Sequence, residues 1–173
     1  SSKNRKGYIK IDLKNLNFKK LDKFKIDTCI HLAWSSIADY SKKNSINNYN
    51  STINLFKYLY KKKCKHIISL GSCWEYTEDF GKKFENKIEK PNNIFGKYKK
   101  KISKYGLSSA KKNKTIFTWL RAFYVYGEEK KGLLTELNKS LKKNKKLFLK
   151  NPFKYNDFIF VDDVVKCIIQ AIK

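Results

Sequence analysis

The stretch HIISLGSCWEY, residues 66–76, decides the fold of this chain. It opens as a short run of apolar and β-branched residues and becomes polar after Gly71, as a strand that leads into a loop does. We predict a β-strand over its first half, 66–70. Similar runs predict further strands, at 8–11, 28–33, 115–122, 146–149 and 158–161.

Longer stretches between these runs carry apolar residues at helical spacing. Asp162 is a candidate N-cap for the last of the helices. Strands that alternate with helices are typical of an α/β protein with a parallel sheet. Because no repeat or low-complexity linker interrupts the series, we predict a single domain over 1–173. The predicted helices lie at 46–62, 93–111, 133–141 and 162–172.

The formal net charge of +25 raises the question of an anionic partner. A surface that contacts phosphates commonly uses the bidentate geometry of arginine, but only Arg5 and Arg121 are arginines here. The other basic residues are lysines scattered through every segment, so the composition argues against nucleic acid as the partner. A basic, nucleic-acid-associated domain stays open as the weakest alternative.

The chain has no stretch that approaches the roughly 20 consecutive apolar residues of a membrane span. Its N-terminal residues, SSKNRKGYIK, lack the apolar core of a signal peptide. We therefore expect a soluble, cytoplasmic protein with no membrane partner.

Four cysteines, Cys29, Cys64, Cys73 and Cys167, include no CxxC pair, which fits reduced thiols. Cys29 and His31, like Cys64 and His66, stand two residues apart, so each pair would share one face of a strand. Four zinc ligands would meet if those strands were neighbours. Buried cysteines of a core strand are the alternative, and since both spacings differ from the usual ones we predict no metal site.

Nucleotide-binding α/β sheets normally begin with a Gly-rich turn that holds a pyrophosphate. None of the seven glycines forms a GxGxxG or GxxGxxG motif, so the sequence as it stands predicts no phosphate cradle.

Several short stretches occur in an order that is more specific than any one of them: IHLAW at 30–34, SLGSCWEY at 69–76, PNNIFGKYK at 91–99, LRAFYVYG at 120–127 and NDFIFVDDV at 156–164. Together they resemble the extended short-chain dehydrogenase/reductase family, whose NAD(P)-dependent epimerases, dehydratases and reductases act on nucleotide-linked sugars. The resemblance extends from Tyr8 to Lys173.

The resemblance implies a Rossmann-like, doubly wound parallel sheet, NAD or NADP as cofactor, and a nucleotide-sugar substrate. It also implies a homodimer formed through the helices at 46–62 and 93–111. Set against that fold, the chain is expected to be incomplete at the N-terminus, without the Gly-rich βαβ unit. The C-terminal substrate lobe, with elements around 128–160, is expected to be truncated.

The catalytic positions follow from two motifs of that family. Ser72 matches a Ser or Thr four residues before a strand-end Tyr, here Tyr76. The YxxxK motif aligns on Phe95 and Lys99, with Pro91 and Gly96 setting the register of the pattern PxxxYGxxK. In such a site the phenol takes the proton of a sugar hydroxyl during hydride transfer, and the lysine cation favours the phenolate.

Further positions are assigned by the same resemblance. Arg121, before Ala122 and Phe123, belongs to a turn under the nicotinamide. The residues expected to bind the cofactor are Asp12, Leu13, Leu32, Ala33, Trp34, Asn48, Leu70, Lys99, Ala122 and Phe123. Those expected to bind the substrate are Ser72, Cys73, Trp74, Tyr124 and Asn156.

Phe95 departs from the family at the atom that matters most, because it has the ring without the hydroxyl. Loss of a general acid/base costs on the order of 10² to 10⁴ in rate, so we expect an impaired or inactive form. Tyr98 is not a substitute, since it lies on another face of the helix from Lys99. Phe95 is either natural or an engineered Tyr-to-Phe change, and a non-catalytic sugar-nucleotide-binding or regulatory homologue is the alternative to an enzyme.

Two other departures narrow the reaction. Cys73 and Trp74 replace the Asp and Glu with which the sugar 4,6-dehydratases perform elimination. A 4-reductase or an epimerase is therefore expected rather than a dehydratase. Asn156 replaces an arginine that helps to hold the nucleotide diphosphate.

Overall fold

The computed structural model describes residues 7–14, 17–37, 39–76, 82–86, 90–127, 133–146, 148 and 155–172. It divides into two compact units, Ser1–Arg121 and Ala122–Lys173. Both units contain parallel strands and helices, which confirms the α/β prediction. The single domain over 1–173 stays a prediction.

The first unit contains a sheet with the strand order β1-β2-β3. β1 runs parallel to β2, with Thr28 opposite His66 and His31 opposite Ser69. A helix follows β1 and another follows β2, as in successive βαβ units. The elements are β1 (Thr28–His31), α1 (Lys42–Lys61), β2 (His66–Ser72), α2 (Ile94–Asn113) and β3 (Ile116–Ala122).

Side-chain caps explain where the two long helices begin. The Oγ atom of Ser41 accepts a hydrogen bond from Asn44 N at 3.2 Å, and α1 starts at the next residue. The Oδ1 atom of Asn93 accepts one from Gly96 N at 2.7 Å, which fixes the start of α2. The predicted starts, 46 and 93, were four residues late for α1 and one residue early for α2.

The core of this unit lies between the two helices and the sheet. Phe56 and Leu59 of α1, Ile67 of β2 and Ile102 of α2 are almost fully buried. Burial of each such side chain contributes about 1.5–3 kcal/mol. α2 packs closely on β3 at Gly106, where a Cβ atom would collide with the Phe117 ring.

The second unit contains β4 (Tyr124–Tyr126), α3 (Leu133–Lys142), β5 (Phe158–Phe160) and α4 (Val161–Ile172). β4 and β5 pair in parallel, with Tyr124 opposite Phe158 and their ring centroids 5.6 Å apart. The sequence predicted β5 but not β4. β4 was missed because Phe123 alone separates it from β3, so no turn signal divides the two strands.

Two other predictions were wrong. Residues 8–11 form no strand, and Tyr8 and Ile9 are exposed instead of buried in a sheet. Asp162 is not an N-cap, because α4 begins at Val161 and Asp162 therefore lies in the first turn, where its charge still suits the helix dipole. In the predicted strand over 146–149, positions 147 and 149 lie outside the described residues, and neither Lys146 nor Phe148 belongs to a strand.

None of the helices described is both long enough and apolar enough to cross a bilayer.

Candidate active site

Ser72 is the last residue of β2 and caps the short 3-10 turn Cys73–Glu75 that follows. Its Oγ atom accepts a hydrogen bond from Trp74 N at 3.3 Å. A hydroxyl that accepts one bond still has its hydrogen to donate. Ser72 therefore combines a structural role in the turn with a hydroxyl at the carboxyl end of the strand.

Glu75 holds this turn from inside and was missed by the sequence analysis. Its side chain is fully buried, and its Oε1 atom accepts a hydrogen bond from Ser72 N at 2.7 Å. Its Oε2 atom accepts one from Trp119 Nε1 at 2.9 Å and lies 3.9 Å from Arg121 Nε. The signal was present in the sequence, because Ser72 and Glu75 form a capping box of the S-x-x-E type.

Phe95 lies at the centre of an aromatic cluster formed with Trp34, Tyr40 and Trp74. Its ring centroid is 5.0 Å from that of Trp34, 5.3 Å from that of Tyr40 and 5.7 Å from that of Trp74. All three contacts are edge to face, the arrangement that aromatic quadrupoles favour. Gly96 allows the approach, because a Cβ atom there would collide with the Trp74 carbonyl.

Lys99 lies one helical turn after Phe95 and points inward. Its side chain is buried, and Nζ donates a hydrogen bond to the Leu70 carbonyl oxygen at 2.8 Å. The same Nζ is 4.4 Å from the centroid of the Trp34 ring and 5.7 Å from that of Phe95. Burial lowers the pKa of Lys99 to about 8, against the opposing effect of the Glu75 charge.

Tyr98 faces away from this cluster. Its ring lies 5.7 Å from that of Tyr49, and the Lys101 ammonium lies 4.7 Å from its centroid. A phenol in that position is on the other side of the helix from Lys99, as the helical geometry predicted.

The loop between β1 and α1 is fixed by two asparagines. Asn44 Nδ2 donates to the carbonyl oxygens of Ser35, Ser36 and Asp39, at 3.0, 3.2 and 2.7 Å. Asn48 Oδ1 accepts a hydrogen bond from Ser35 N at 2.7 Å. Asn48 was predicted to line the cofactor site, and its amide is engaged with the loop backbone. Asn44 was not singled out by the sequence analysis.

A cavity of about 640 Å³ lies beside this loop. Its volume is within the range of small-molecule sites, and its lining combines a carboxylate, an amide and apolar walls. Trp34 connects it to the aromatic cluster, and the Nε1 atom of Trp34 is buried with no hydrogen-bond partner among the residues described. Six predicted cofactor-binding residues line the cavity: Asp12, Leu13, Leu32, Ala33, Trp34 and Asn48.

The remaining predicted positions lie elsewhere in the fold. Leu70 belongs to β2 and accepts the Lys99 bond, and Cys73 is half-buried in the turn after Ser72. Arg121 donates to Tyr76 Oη and lies beside Glu75. Four residues belong to the second unit: Ala122 at the end of β3, Phe123 between β3 and β4, Tyr124 in β4, and Asn156 before β5.

The structure does not bring the four candidate zinc ligands together as a metal site requires. These candidates are Cys29, His31, Cys64 and His66. β1 and β2 are neighbours, but Cys29 is opposite Ile67, and burial raises the pKa of the Cys29 thiol to about 12. Zinc is bound by the thiolate form. Within the described ranges no group of three or more His, Cys, Asp or Glu could hold a metal ion.

His31 is buried beneath the site. Its Nδ1 atom is 3.1 Å from Ser69 Oγ, and its Nε2 atom is 3.4 Å from Thr52 Oγ1. Burial, assisted by the nearby charge of Lys99, lowers the pKa of His31 to about 4. The imidazole is therefore neutral at physiological pH.

We expect His31 to make the fold sensitive to acid. In the unfolded chain the His31 imidazole takes up a proton near pH 6.5, but in the folded chain only near pH 4. The contribution of neutral His31 to folding stability is therefore complete above pH 6.5 and is lost as the pH falls towards 4. The loss amounts to about 3 kcal/mol. Urea denaturation at several pH values should show a smaller acid loss in His31→Gln, whereas the control His66→Gln should keep the full one. An equal loss in both variants would contradict the assignment.

Comparison with known proteins gives the family of this chain. Its sequence matches the NAD dependent epimerase/dehydratase family over residues 2–173, and the chain belongs to that family. This confirms the resemblance to the extended short-chain dehydrogenase/reductases and identifies the family as NAD-dependent. A search among curated proteins finds no match.

Solved structures share the fold. One is the ADP-L-glycero-D-manno-heptose-6-epimerase of Helicobacter pylori, with TM-score 0.79, 23% identity, and coverage of 94% of this chain and 55% of that one. Another is the UDP-glucose 4-epimerase of Thermotoga maritima, with TM-score 0.81, 18% identity, and coverage of 94% and 58%. This chain spans just over half the length of these structures.

A third similar structure has a phenylalanine in place of a tyrosine by mutation. It is a Tyr-to-Phe mutant of the UDP-glucuronic acid 4-epimerase from Bacillus cereus, in complex with NAD and UDP-4-deoxy-4-fluoro-glucuronic acid. The TM-score is 0.76 at 23% identity, with coverage of 94% of this chain and 52% of that one.

Proposed function

We propose that this chain forms the cofactor-binding and catalytic part of a nucleotide-sugar epimerase. One observation carries the proposal: Trp34 lines the cavity of predicted cofactor residues and also contacts both Phe95 and the Lys99 ammonium. Helix α2, the proposed catalytic helix, and the candidate cofactor cavity are therefore neighbours within the first unit.

The residues of the chain can perform most of the steps of such a reaction. NAD, when bound, supplies the hydride acceptor. Ser72 offers a hydroxyl that can hold the reacting oxygen of the sugar, and Lys99 supplies a buried cation beside the ring of Phe95. A phenol at position 95 is the missing part, and we propose that its absence slows the reaction.

The cavity residues fit the nucleoside part of a dinucleotide. The Asp12 carboxylate can accept hydrogen bonds from a nucleoside, and Leu13, Leu32 and Ala33 offer apolar surface to a base. The Bacillus cereus relative is described in complex with NAD, which supports NAD as the ligand of this cavity. Within the first unit, Leu70 and Lys99 are proposed as further contacts of the cofactor, next to the Trp34 ring that Lys99 approaches.

The substrate is proposed to be a nucleotide sugar, as in the relatives. Ser72 at the end of β2, and Cys73 and Trp74 directly after it, would contact the sugar. Epimerase or 4-reductase chemistry is favoured over dehydration, because Cys73 and Trp74 provide neither carboxylate of the dehydratases. Of these two, the named relatives favour epimerisation.

A second candidate is a protein that binds the nucleotide sugar without turning it over. Phe95 is the observation that favours it, since the family chemistry uses a phenol at this position.

Two further properties are proposed from the family. The cytoplasm is the proposed location, and a homodimer is proposed through the helices predicted at 46–62 and 93–111. The corresponding helices α1 and α2 contain lysines but no acidic residue. The lysines of two copies would repel each other, and salt would favour association of the copies because it screens this repulsion.

The test is a product assay with the purified protein, NAD, and a panel of ADP- and UDP-linked sugars. We expect slow interconversion of one epimeric pair, reduced about 10²-fold in Lys99→Met because the buried cation is lost. Lys101→Met is the matched control, since that ammonium stacks on Tyr98 outside the site. Calorimetric binding of NAD and a nucleotide sugar without any interconversion would favour the second candidate, and absence of binding would contradict both.

A further inference from the structure

We propose that Tyr40 supplies the phenol that position 95 lacks, and acts as the general acid/base towards the hydroxyl of the nucleotide sugar. This inference rests on the proposed function and names a proton carrier for it. It assigns a role to a loop residue that follows β1 and precedes α1.

Tyr40 contacts the ring of Phe95. Its ring centroid is 5.3 Å from that of Phe95 and 4.8 Å from that of Trp74, the residue two positions after Ser72. The ring of Phe95 is in turn 5.7 Å from the Lys99 ammonium. One phenol therefore lies in the same aromatic cluster as the predicted serine turn and lysine.

The hydroxyl of Tyr40 is available for chemistry. The residue is 44% exposed, and its Oη atom makes no hydrogen bond with the residues that the structure describes. A proton carrier must be reachable by substrate and not committed to a structural bond. Tyr76, by contrast, uses its hydroxyl to donate to the Phe84 carbonyl oxygen at 3.2 Å.

The backbone on both sides of Tyr40 is held in place. Asn44 Nδ2 donates to the Asp39 carbonyl oxygen at 2.7 Å, and the Asp39 carboxylate accepts from Ser41 N at 2.9 Å. Ser41 is itself the N-cap of α1. Rigid support of this kind is what a catalytic side chain on a loop requires to keep its geometry.

Other titratable groups near the cluster are less suited to the role. Tyr98 packs against Tyr49 on another face of α2. Both His31 ring nitrogens lie within 3.4 Å of buried hydroxyls, and the residue is only 6% exposed. The Lys99 ammonium donates to Leu70 and is 7% exposed. Tyr40 is the exposed phenol in the cluster.

In the proposed step, the sugar carbinol loses a proton to Tyr40 and a hydride to the cofactor. Tyr40, as phenolate, takes the proton when the O–H bond of the sugar carbinol breaks. The C–H bond of the same carbon would break with its electron pair as the carbinol is oxidised to a ketone, and NAD, held by the cavity residues, would supply the hydride acceptor. The reduced cofactor would return the hydride to the opposite face of the ketone carbon, and the Tyr40 phenol would give its proton back to the oxygen.

The test compares Tyr40→Phe in two backgrounds. In the chain with Phe95 we expect kcat to fall on the order of 10²-fold with a smaller change in KM, since a general acid/base acts in the chemical step. In Phe95→Tyr the same change should lower kcat less than about threefold, because the restored phenol performs the transfer and the two residues are coupled. Tyr98→Phe is the matched control and should leave kcat unchanged.

A second readout does not depend on turnover. In a crystal structure of the protein with NAD and the nucleotide sugar, Tyr40 Oη should lie within about 2.6–3.2 Å of the carbinol oxygen. A larger separation with no water between the two oxygens would overturn the proposal.

The outcomes separate this inference from the proposed function. If Phe95→Tyr is active but Tyr40→Phe leaves kcat unchanged in the chain with Phe95, the proposed role of Tyr40 is contradicted and the epimerase proposal survives. The same holds if only Phe95→Tyr is active. If neither form converts any sugar of the panel, the proposed function fails and Tyr40 has no reaction to serve.

Discussion

Replacing Phe95 by tyrosine is expected to raise kcat for nucleotide-sugar interconversion by about 10²-fold, the lower end of what a general acid/base contributes. The ring of Phe95 lies beside those of Trp34, Tyr40 and Trp74, with the Lys99 ammonium 5.7 Å from its centroid. A buried cation favours the charged form of a nearby phenol. The lower end is expected because Tyr40 already supplies part of the proton transfer.

The gain in rate should be accompanied by a loss of stability. Position 95 is half-buried among aromatic rings, and a hydroxyl without a partner there costs on the order of 1–3 kcal/mol. Steady-state kinetics and urea denaturation of the same preparations measure the two effects. Phe24→Tyr is the control, because it adds a hydroxyl to a partly exposed ring of the first unit that does not belong to the aromatic cluster around Phe95. A folded Phe95→Tyr protein with unchanged kcat would contradict the register that aligns Phe95 with the catalytic position.

The second large effect concerns Glu75. Its replacement by alanine is expected to lower the free energy of unfolding by about 3–5 kcal/mol, as when one partner of a buried ion pair is removed. The Ser72 N–H and the Trp119 Nε1–H would lose a common acceptor, and Arg121 would lose a carboxylate 3.9 Å away. The site is tightly filled, because a Cβ atom at Gly71 would lie 2.5 Å from both Glu75 Oε1 and Trp119 Nε1.

Two matched variants define what Glu75 does. Glu75→Gln keeps an oxygen acceptor and should lose less stability than Glu75→Ala. Glu136→Ala removes an exposed carboxylate that lies 3.9 Å from Lys139, and should change stability by less than about 1 kcal/mol. Chemical denaturation with intrinsic tryptophan fluorescence measures all three. A loss in Glu75→Ala no larger than that in Glu136→Ala would show that the turn after β2 does not depend on the carboxylate.

The longest elements were the ones that the sequence predicted most readily. α1 and α2 are 20 residues each, so their apolar periodicity was strong enough to locate them from the sequence. β4 has three residues and was missed, and the apolar run at 8–11 was read as a strand although the structure places none there. Whether a short apolar run becomes a strand depends on a partner strand, which local sequence does not contain.

The residues of the candidate site also fall into two groups, those that the sequence predicted and those that only the structure revealed. The resemblance of Pro91, Gly96 and Lys99 to the family pattern PxxxYGxxK predicted that Phe95 stands at the catalytic position, and this assignment stays a prediction. Asn44, Glu75 and Tyr40 were not found. Their roles come from contacts with residues that are far apart in the chain or that lie in irregular segments, as in the Trp119 bond to Glu75 and the Tyr40 contact with Phe95.

By itself the sequence determined the α/β class and the order of the main elements, since periodicity and motif spacing are properties of the chain alone, and it singled out position 95 for study. Only the tertiary structure decided which groups surround that position. It placed Trp34 between the cavity and Lys99, buried Glu75 behind Ser72, and brought Tyr40 to the ring of Phe95. Packing of α2 against the turn after β2 brings such groups together, and close packing is decided by the shapes of all contacting side chains at once.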